Sequence, residues 1–387
     1  MPLNWNRRCR AWPVWLLLWA CSTLQAETLV VGEGAVSTLA DALRLARDGD
    51  TVLVPAGEYR GDVAVVLQKR LTIRGLDPRP VLIADGWHAE GKGILVVRDG
   101  DIRIENIEFR GARVPDGNGA GIRFEKGRLT VSACAFFDNE IGLLTGNFED
   151  AELVIENSEF GQAPRTPGGL HHLLYAGRIA SLKVSGSRFG QGQVGHLLKS
   201  RARRTELAYN LLYDGEGGRA SYEVDLPNGG DALLIGNVIG QSRDSENLVL
   251  VAYGAEGRAW PLSRLRLVHN TLVNDGYRPA WFLRVWPDRL PPGASVQAIN
   301  NLSVGLGLFS LGTAGEFQGN YTVWPVMLKD LAALDFSLPA DSPLRGRGVD
   351  PQSALGADLS PKAEFALPVG TRPLPLPPAW TPGAFQR

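Results

Sequence analysis

Cysteine, methionine and an excess of either charge are what this chain has least of. Its 387 residues include three Cys and two Met, and 40 basic side chains face 41 acidic ones. Two of the cysteines lie within the first 26 residues, which leaves Cys134 alone beyond them, so neither a disulfide framework nor a cysteine-based metal site is expected. The balanced charge argues against a nucleic-acid partner. With 44% hydrophobic residues and 46 Gly, the composition indicates a large core with many tight turns.

Residues 1–26 differ from the rest. Three arginines within the first ten residues precede an apolar run at 12–20, and Leu24-Gln25-Ala26 offers a small-residue cleavage site. This pattern predicts a secretory signal peptide, a periplasmic or secreted protein, and no stable membrane insertion after the signal is removed. A minor alternative is a lipoprotein anchored through Cys21, although Trp19 before Ala20 is unusual for that signal.

A short strand-and-turn phrase recurs along the chain. It reads Ile-Arg-Ile-Glu-Asn-Ile-Glu-Phe at 102–109 and Leu-Val-Ile-Glu-Asn-Ser-Glu-Phe at 153–160, and it returns near Asn210, Asn237, Asn270, Asn301 and Asn320. A repeat of about 20–30 residues is too short for a propeller blade and fits one coil of a solenoid. The recurrent Asn is expected to be scaffold, because it tolerates a sharp left-handed turn and can hydrogen-bond the Asn above and below.

The repeat sets the expected domain organisation. An all-β, parallel β-helix should occupy residues 27–350, with right-handed crossovers between its parallel strands. Helical spacing of apolar residues at 38–47 predicts a capping helix, which would cover the otherwise open first coil. Residues 351–387 form a proline-rich tail that should be extended, lying along the outside of the solenoid or trailing free.

Together these features resemble the right-handed parallel β-helix proteins of the pectate-lyase-like superfamily. The resemblance covers roughly residues 28–350 and includes the opening Gly-Asp-Thr-Val-Leu-Val-Pro-Ala-Gly-Glu-Tyr at 49–59 and Leu-Thr-Ile-Arg-Gly at 71–75. It implies the fold. It does not imply one activity, since the superfamily includes lyases, hydrolases, epimerases and surface adhesins.

Counting back from the turns of the repeat places several polar residues in one stack. Coils lie about 4.8 Å apart, so three adjacent coils would present one patch. Its predicted members are His172, Tyr175, His196, Lys199, Tyr222, Glu223 and Asp225. A His-rich column in a β-helix is more typical of stacked, hydrogen-bonded rings than of a metal site.

Within that patch, Lys199-Ser200 closing a strand resembles the region of the catalytic Lys in the chondroitinase B and alginate lyase family. The resemblance implies that Lys199 is the base that removes the proton beside a uronate carboxylate. The family's Arg on the next coil does not carry over, because Glu223 and Asp225 stand there; Arg201, Arg203 or Arg219 would have to serve from a loop. The implied substrate is an acidic polysaccharide.

Alternatives remain open at this stage. Glu223 and Asp225 are expected on one face of a strand, about 6.5–7 Å apart, where they would hold Ca²⁺ or act as a glycosidase pair. Arg284, in an aromatic-rich strand, is a candidate carboxylate clamp. Lys199 paired with the two acids would instead be a plain salt-bridge ladder. The chain would then be a non-catalytic solenoid that binds glycan or protein, and in either case a monomer is expected.

Overall fold

The structure is a computed structural model, and it describes residue 1 and residues 26–34, 36–166, 168–257, 260–352 and 359–387. Residues 2–25 lie outside these ranges, and with them nearly all of the predicted signal peptide and the alternative anchor Cys21. In the described part of the chain, no helix combines the length and apolarity needed to cross a membrane.

Over the described residues the chain winds into a parallel β-solenoid of about ten turns. Each coil visits three long sheets in the same order, and within each sheet every strand pairs in parallel with the equivalent strand of the next coil. Sheet 1 has twelve strands: β1 (Thr28–Val30), β2 (Thr51–Val54), β5 (Arg70–Gly75), β8 (Asp101–Glu105), β11 (Arg128–Ser132), β14 (Glu152–Glu156), β17 (Ser181–Ser185), β20 (Arg204–Ala208), β23 (Asp231–Ile235), β26 (Arg264–Val268), β29 (Ser295–Ile299) and β32 (Glu316–Gln318).

The other two long sheets follow in turn along each coil. Sheet 2 has eleven strands: β3 (Glu58–Arg60), β6 (Val81–Ile83), β9 (Glu108–Arg110), β12 (Ala135–Phe137), β15 (Glu159–Gly161), β18 (Arg188–Phe189), β21 (Leu211–Tyr213), β24 (Val238–Gln241), β27 (Thr271–Asn274), β30 (Leu302–Val304) and β33 (Tyr321–Val323). Sheet 3 has ten strands: β4 (Ala64–Val66), β7 (Gly93–Val97), β10 (Ala120–Phe124), β13 (Ile141–Thr145), β16 (Leu174–Ala176), β19 (Leu198–Ser200), β22 (Val224–Leu226), β25 (Val249–Tyr253), β28 (Ala280–Val285) and β31 (Gly307–Leu308). The predicted parallel β-helix is confirmed.

The core fills the inside of the solenoid because alternate strand residues point inward. In sheet 1, Ile102, Leu129 and Leu153 occupy one register position in successive coils, and all three are fully buried. In sheet 2, four phenylalanines stack with ring centroids 4.5–5.3 Å apart: Phe109, Phe136, Phe160 and Phe189. No single coil could bury these side chains, so the core is continuous from coil to coil.

The predicted cap is present as helix α1 (Leu39–Leu45), which buries Leu39 and Leu43 against the first coils. Thr38 begins it, since its side chain accepts from the Asp41 backbone N–H at 3.0 Å while the Asp41 carboxylate accepts from the Thr38 N–H at 3.2 Å. The helix is slightly shorter than the expected 38–47 because Ala46 already has an extended backbone.

The recurrent asparagines occupy two different positions at the corner between sheets 1 and 2. Asn106 and Asn157 adopt the left-handed turn conformation, with φ of 54° and 49°. From Asn210 onward, the ladder lies one residue later and is buried: the side-chain amide of Asn237 donates to Asn270 Oδ1 at 3.0 Å, and that of Asn270 donates to Asn301 Oδ1 at 2.9 Å. The left-handed turn and the side-chain ladder, both expected of one Asn, therefore belong to two adjacent residues. The Asn of the early copies and the Asn of the late copies are not equivalent, because they differ by one position in the coil.

The C-terminal segment packs along the outside of the solenoid, the first of the two arrangements expected for the tail. A hairpin of β34 (Ala363–Phe365) and β35 (Thr371–Pro373) is anchored by the Gly370 N–H, which donates to the Gly186 carbonyl at 2.7 Å. Phe365 and Phe385 join an apolar cluster on the outer side of sheet 2. These contacts of the tail lie on sheet 2 and at its corner with sheet 1.

Candidate functional site

The outer face of sheet 3 carries the predicted patch, because strand register stacks its residues directly. Tyr175 pairs with Lys199, and Lys199 pairs with Asp225. The next two coils place Ala252 and then Arg284 at the same position. The predicted column of Tyr175, Lys199 and Asp225 is thus correct, even though one of its reference turns, Gly186, lies one residue before the position equivalent to Asn210.

Beside this column runs a stack of three rings, hereafter the ring stack: His172, His196 and Tyr222. Successive centroids are 4.8 Å apart. The His196 N–H donates to His172 Nδ1 at 2.9 Å, and the Tyr222 N–H donates to His196 Nδ1 at 3.1 Å. A ring nitrogen that accepts in this way leaves the proton on Nε2. Burial lowers the pKa of His172 to about 3 and that of His196 well below its usual value, so both rings are neutral.

Lys199 lies between two carboxylates. Its Nζ is 3.1 Å from Asp225 Oδ2 and 3.0 Å from Glu256 Oε1. Burial alone would lower the pKa of Lys199, but the two acids together raise it, so the side chain is charged. Burial raises the pKa of Asp225 to about 6 in spite of the nearby Lys199, and Asp225 Oδ1 has no hydrogen-bond partner among the described residues. His196 Nε2 faces Asp225 Oδ2 at 3.4 Å.

Arg201 supplies a second cation. Its guanidinium donates to the Tyr175 hydroxyl at 2.8 Å and to Asn228 Oδ1 at 2.5 Å, and its Nη2 is 2.6 Å from Glu256 Oε2. The two oxygens of Glu256 are therefore shared between Lys199 and Arg201. Burial opposes this charge on Glu256, but hydrogen bonds from Lys199 and Arg201 hold its pKa below the usual range. We call Lys199, Arg201, Asp225 and Glu256 the charged cluster.

Glu223 does not join the charged cluster, and the expectation that it shares a face with Asp225 is wrong. The alternation of sides does not hold at this position: Glu223 and its equivalents Leu197 and Leu250 are all fully buried, although each lies two residues before a member of the column. Glu223 lies one residue before Val224, as Leu197 lies one before the register partner Leu198. Neither of its oxygens has a hydrogen-bond partner among the described residues, and burial, with nearby Asp214, raises its pKa well above the usual value.

The burial of Glu223 decides whether Glu223 and Asp225 could hold Ca²⁺ together. Glu223 and Asp225 do not converge, and within the described ranges no three His, Cys, Asp or Glu side chains are arranged to hold a metal ion. The acids of the charged cluster are occupied by Lys199 and Arg201. The residues present therefore do not fit a Ca²⁺ ion held by this pair, and no step of the chemistry below uses one.

Arg284 is in the column but not in the charged cluster. It stands two coils beyond Asp225, roughly 10 Å away at the usual strand spacing. Its guanidinium lies 4.7 Å from the Trp286 ring centroid and 5.5 Å from that of Trp281. The Trp–Arg–Trp arrangement extends the polar face along the solenoid axis.

Sequence reasoning missed Glu256, Asn228 and the role of Trp260. All three belong to irregular segments at the edge of sheet 3, where Asn228 donates to the Gly257 carbonyl at 3.0 Å and Trp260 Nε1 donates to the Arg201 carbonyl at 3.0 Å. Trp260 also borders an adjoining cleft of about 460 Å³ that Arg203 and Arg204 help to line. The signal was the long excursion after β25, which the sequence marks as irregular but does not connect to Lys199.

Comparison with known proteins identifies the fold class. The chain has the pectate-lyase-like β-helix fold. It is similar to the crystal structure of pectate lyase Pel9A, with a TM-score of 0.66 and 13% identity, over 93% of this chain and 96% of that one. An alginate lyase from Paenibacillus sp. str. FPU-7 matches with a TM-score of 0.49 and 15% identity, over 76% of this chain and 99% of that one. No family model and no curated protein sequence matches the chain.

Proposed function

We propose that the chain is a polysaccharide lyase-like enzyme that cleaves an acidic, uronate-containing polysaccharide by β-elimination at the charged cluster. One observation carries the proposal: Lys199 and Arg201 lie side by side on the outer face of sheet 3 and together bind a single carboxylate, that of Glu256. β-Elimination needs a cation on the uronate carboxylate, because it makes the neighbouring C–H acidic, and a base beside that proton.

The residues suit these roles as a unit. Arg201, fixed by Tyr175 and Asn228, would bind one oxygen of the uronate carboxylate through Nη2, the nitrogen that contacts Glu256. Lys199 is charged at rest, so it must lose a proton before it acts as the base, and Asp225 Oδ2, 3.1 Å away, is placed to accept that proton. Burial favours this transfer because it disfavours the charge on both groups, and the neutral amine then removes the C5 proton. The C4–O bond then breaks as the C4–C5 double bond forms. The Tyr175 hydroxyl, whose oxygen accepts from Arg201, gives its proton to the leaving oxygen.

The other residues would bind sugar. The ring stack offers His172 and Tyr222 at its ends as flat surfaces, and aromatic rings stack on sugars. The Nε2–H of His196 faces Asp225 and orients it. Arg284 between its two tryptophans is placed to bind a second carboxylate about two coils along an extended polysaccharide. This direction of binding follows the solenoid axis.

The geometry bears differently on two other functions. A hydrolase based on Glu223 and Asp225 is disfavoured, because Glu223 is enclosed in the core. A non-catalytic glycan-binding solenoid is the second candidate, and the specific observation in its favour is that Lys199 is charged and doubly paired at rest. The N-terminal pattern of charged, apolar and small residues supports export to the periplasm or outside the cell, where a monomer would meet such polymers.

The test is formation of the unsaturated uronate product, followed by its ultraviolet absorbance, over pectate, alginate, hyaluronate and chondroitin. Wild type should release product from at least one of them. Lys199→Ala should lower the rate by about 100-fold or more, the usual contribution of a general base. The matched control is Lys183→Ala, an exposed lysine of sheet 1, 3.9 Å from Glu206. Product from none of the four polymers contradicts lyase activity; full activity in Lys199→Ala contradicts the site.

A further inference from the structure

Glu256 differs from the other members of the charged cluster in its exposure and in its support. Its side chain is 45% exposed, against 10% for Lys199 and 19% for Arg201. The cations come from β19 and the turn after it, whereas Glu256 reaches them from the excursion after β25, 57 residues from Lys199 along the chain. The solvent-accessible carboxylate of Glu256 thus contacts two cations that are themselves largely buried.

The cations do not depend on Glu256 for their positions. Arg201 is held by the Tyr175 hydroxyl and by Asn228 Oδ1, and Lys199 by Asp225. The turn that carries Glu256 is likewise held by its own backbone, since the Glu256 N–H donates to the Pro227 carbonyl at 2.8 Å. Rotation of the Glu256 side chain would therefore free Lys199 and Arg201 to bind another group, without any movement of the backbone or of either cation.

If the carboxylate of Glu256 moves away, charge balance requires another anion in its place. Lys199 and Arg201 carry two positive charges, and Asp225 and Glu256 carry two negative ones. If Glu256 leaves, one positive charge remains uncompensated in a largely buried place, which costs free energy unless another anion enters. The spacing fits a carboxylate, whose two oxygens would take the places of Glu256 Oε1, 3.0 Å from Lys199, and Oε2, 2.6 Å from Arg201.

We propose that Lys199 and Arg201 form a preformed subsite for one uronate carboxylate, and that Glu256 fills this subsite as an internal competitor until the sugar displaces it. The proposal rests on the proposed function for the acidic nature of the ligand. It adds that the chain weakens its own ligand binding through Glu256. It also makes Glu256 a determinant of specificity, since a neutral sugar cannot replace the charge that leaves.

The experiment is binding of methyl uronosides by ligand-detected NMR, with the galacturonoside, glucuronoside, mannuronoside and guluronoside as probes and their neutral methyl glycosides as controls. These monosaccharides have no 4-linked sugar to eliminate, so binding is separated from turnover. Glu256→Gln should bind at least one uronoside about tenfold more tightly than wild type, and Glu256→Ala should do the same. Neither should gain affinity for the neutral glycosides. Adding Arg201→Met to Glu256→Gln should remove the gain.

The matched control is Glu246→Gln, which removes another ion-paired acid, 2.7 Å from Arg219, and should leave uronoside binding unchanged. Unchanged or weaker binding of all four uronosides in both Glu256 variants would overturn the subsite. The result separates from the lyase test: tighter uronoside binding without any elimination product supports the subsite and rejects the lyase, whereas product formation with unchanged binding does the reverse.

Discussion

Two polar columns run through the same solenoid, and they differ in how their hydrogen bonds are completed. In the buried asparagine ladder, Asn270 Oδ1 accepts from the backbone and side chain of Asn237, and its amide donates to Asn301 Oδ1 and the Leu234 carbonyl. The charged cluster is assembled from distant segments, and Asp225 Oδ1 has no hydrogen-bond partner among the described residues. The ladder therefore completes its own hydrogen bonds, whereas the charged cluster keeps hydrogen-bonding capacity for a ligand.

Removing one member of the asparagine ladder should have the largest effect on stability. Asn270→Leu keeps the branched shape of the side chain but takes a partner from three buried groups: the Asn237 N–H, the Asn237 amide, which keeps only the Leu207 carbonyl, and the Leu234 carbonyl. Each such group costs about 1–3 kcal/mol, so the free energy of unfolding should fall by about 3 kcal/mol or more. Urea unfolding followed by circular dichroism measures it.

The control for the ladder is Asn118→Leu, an exposed loop asparagine, whose effect should stay within about 0.5 kcal/mol. A loss below about 1 kcal/mol for Asn270→Leu would mean that the ladder is not what holds this corner. The completed hydrogen bonds of the asparagine ladder would then not be what distinguishes it energetically from the charged cluster.

Glu223 is the opposite case to the asparagine ladder, since it is a buried polar group whose hydrogen bonds are not completed by its neighbours. Its carboxyl stands where the neighbouring coils place Leu197 and Leu250, with no partner for either oxygen among the described residues. Replacing it by leucine should raise the free energy of unfolding at pH 8 by about 1–3 kcal/mol. A loss of stability in Glu223→Leu would show that the carboxyl has a structural partner after all.

The pH dependence of that gain has a definite sign. Burial raises the pKa of folded Glu223 above its unfolded value, so the folded chain holds this proton more tightly. The stabilisation that this proton gives is fully present below the unfolded pKa and is lost as pH rises towards the folded one. The advantage of Glu223→Leu should therefore be smaller at pH 5 than at pH 8, which unfolding at the two pH values checks. An advantage that grows towards pH 5 contradicts the assignment.

The same contrast explains how far the sequence predicts this molecule. Repetition predicts the solenoid and the column Tyr175–Lys199–Asp225, because register in a parallel sheet follows from a period, and helical spacing predicts the cap. Repetition fails at Glu223, which is fully buried although strict alternation would place it on the same side as Asp225. It also fails at Glu256, because its contact with Lys199 spans 57 residues and depends on how an irregular excursion folds back. Local pattern carries no information about such a contact.

Asp225 tests how the charge on Lys199 is set within the charged cluster. Asp225→Asn removes one of the two acids that hold the proton on Lys199, while burial, which favours the neutral amine, is unchanged. The pKa of Lys199 should therefore fall, and the fold should survive because Glu256 still pairs with Lys199. Titration of ¹³C-labelled lysine by NMR measures the shift, with Lys183 as the resonance that should not move. An unmoved or raised Lys199 midpoint would show that Asp225 does not set the charge on the lysine, and the Lys199–Asp225 pair could then not act as the base.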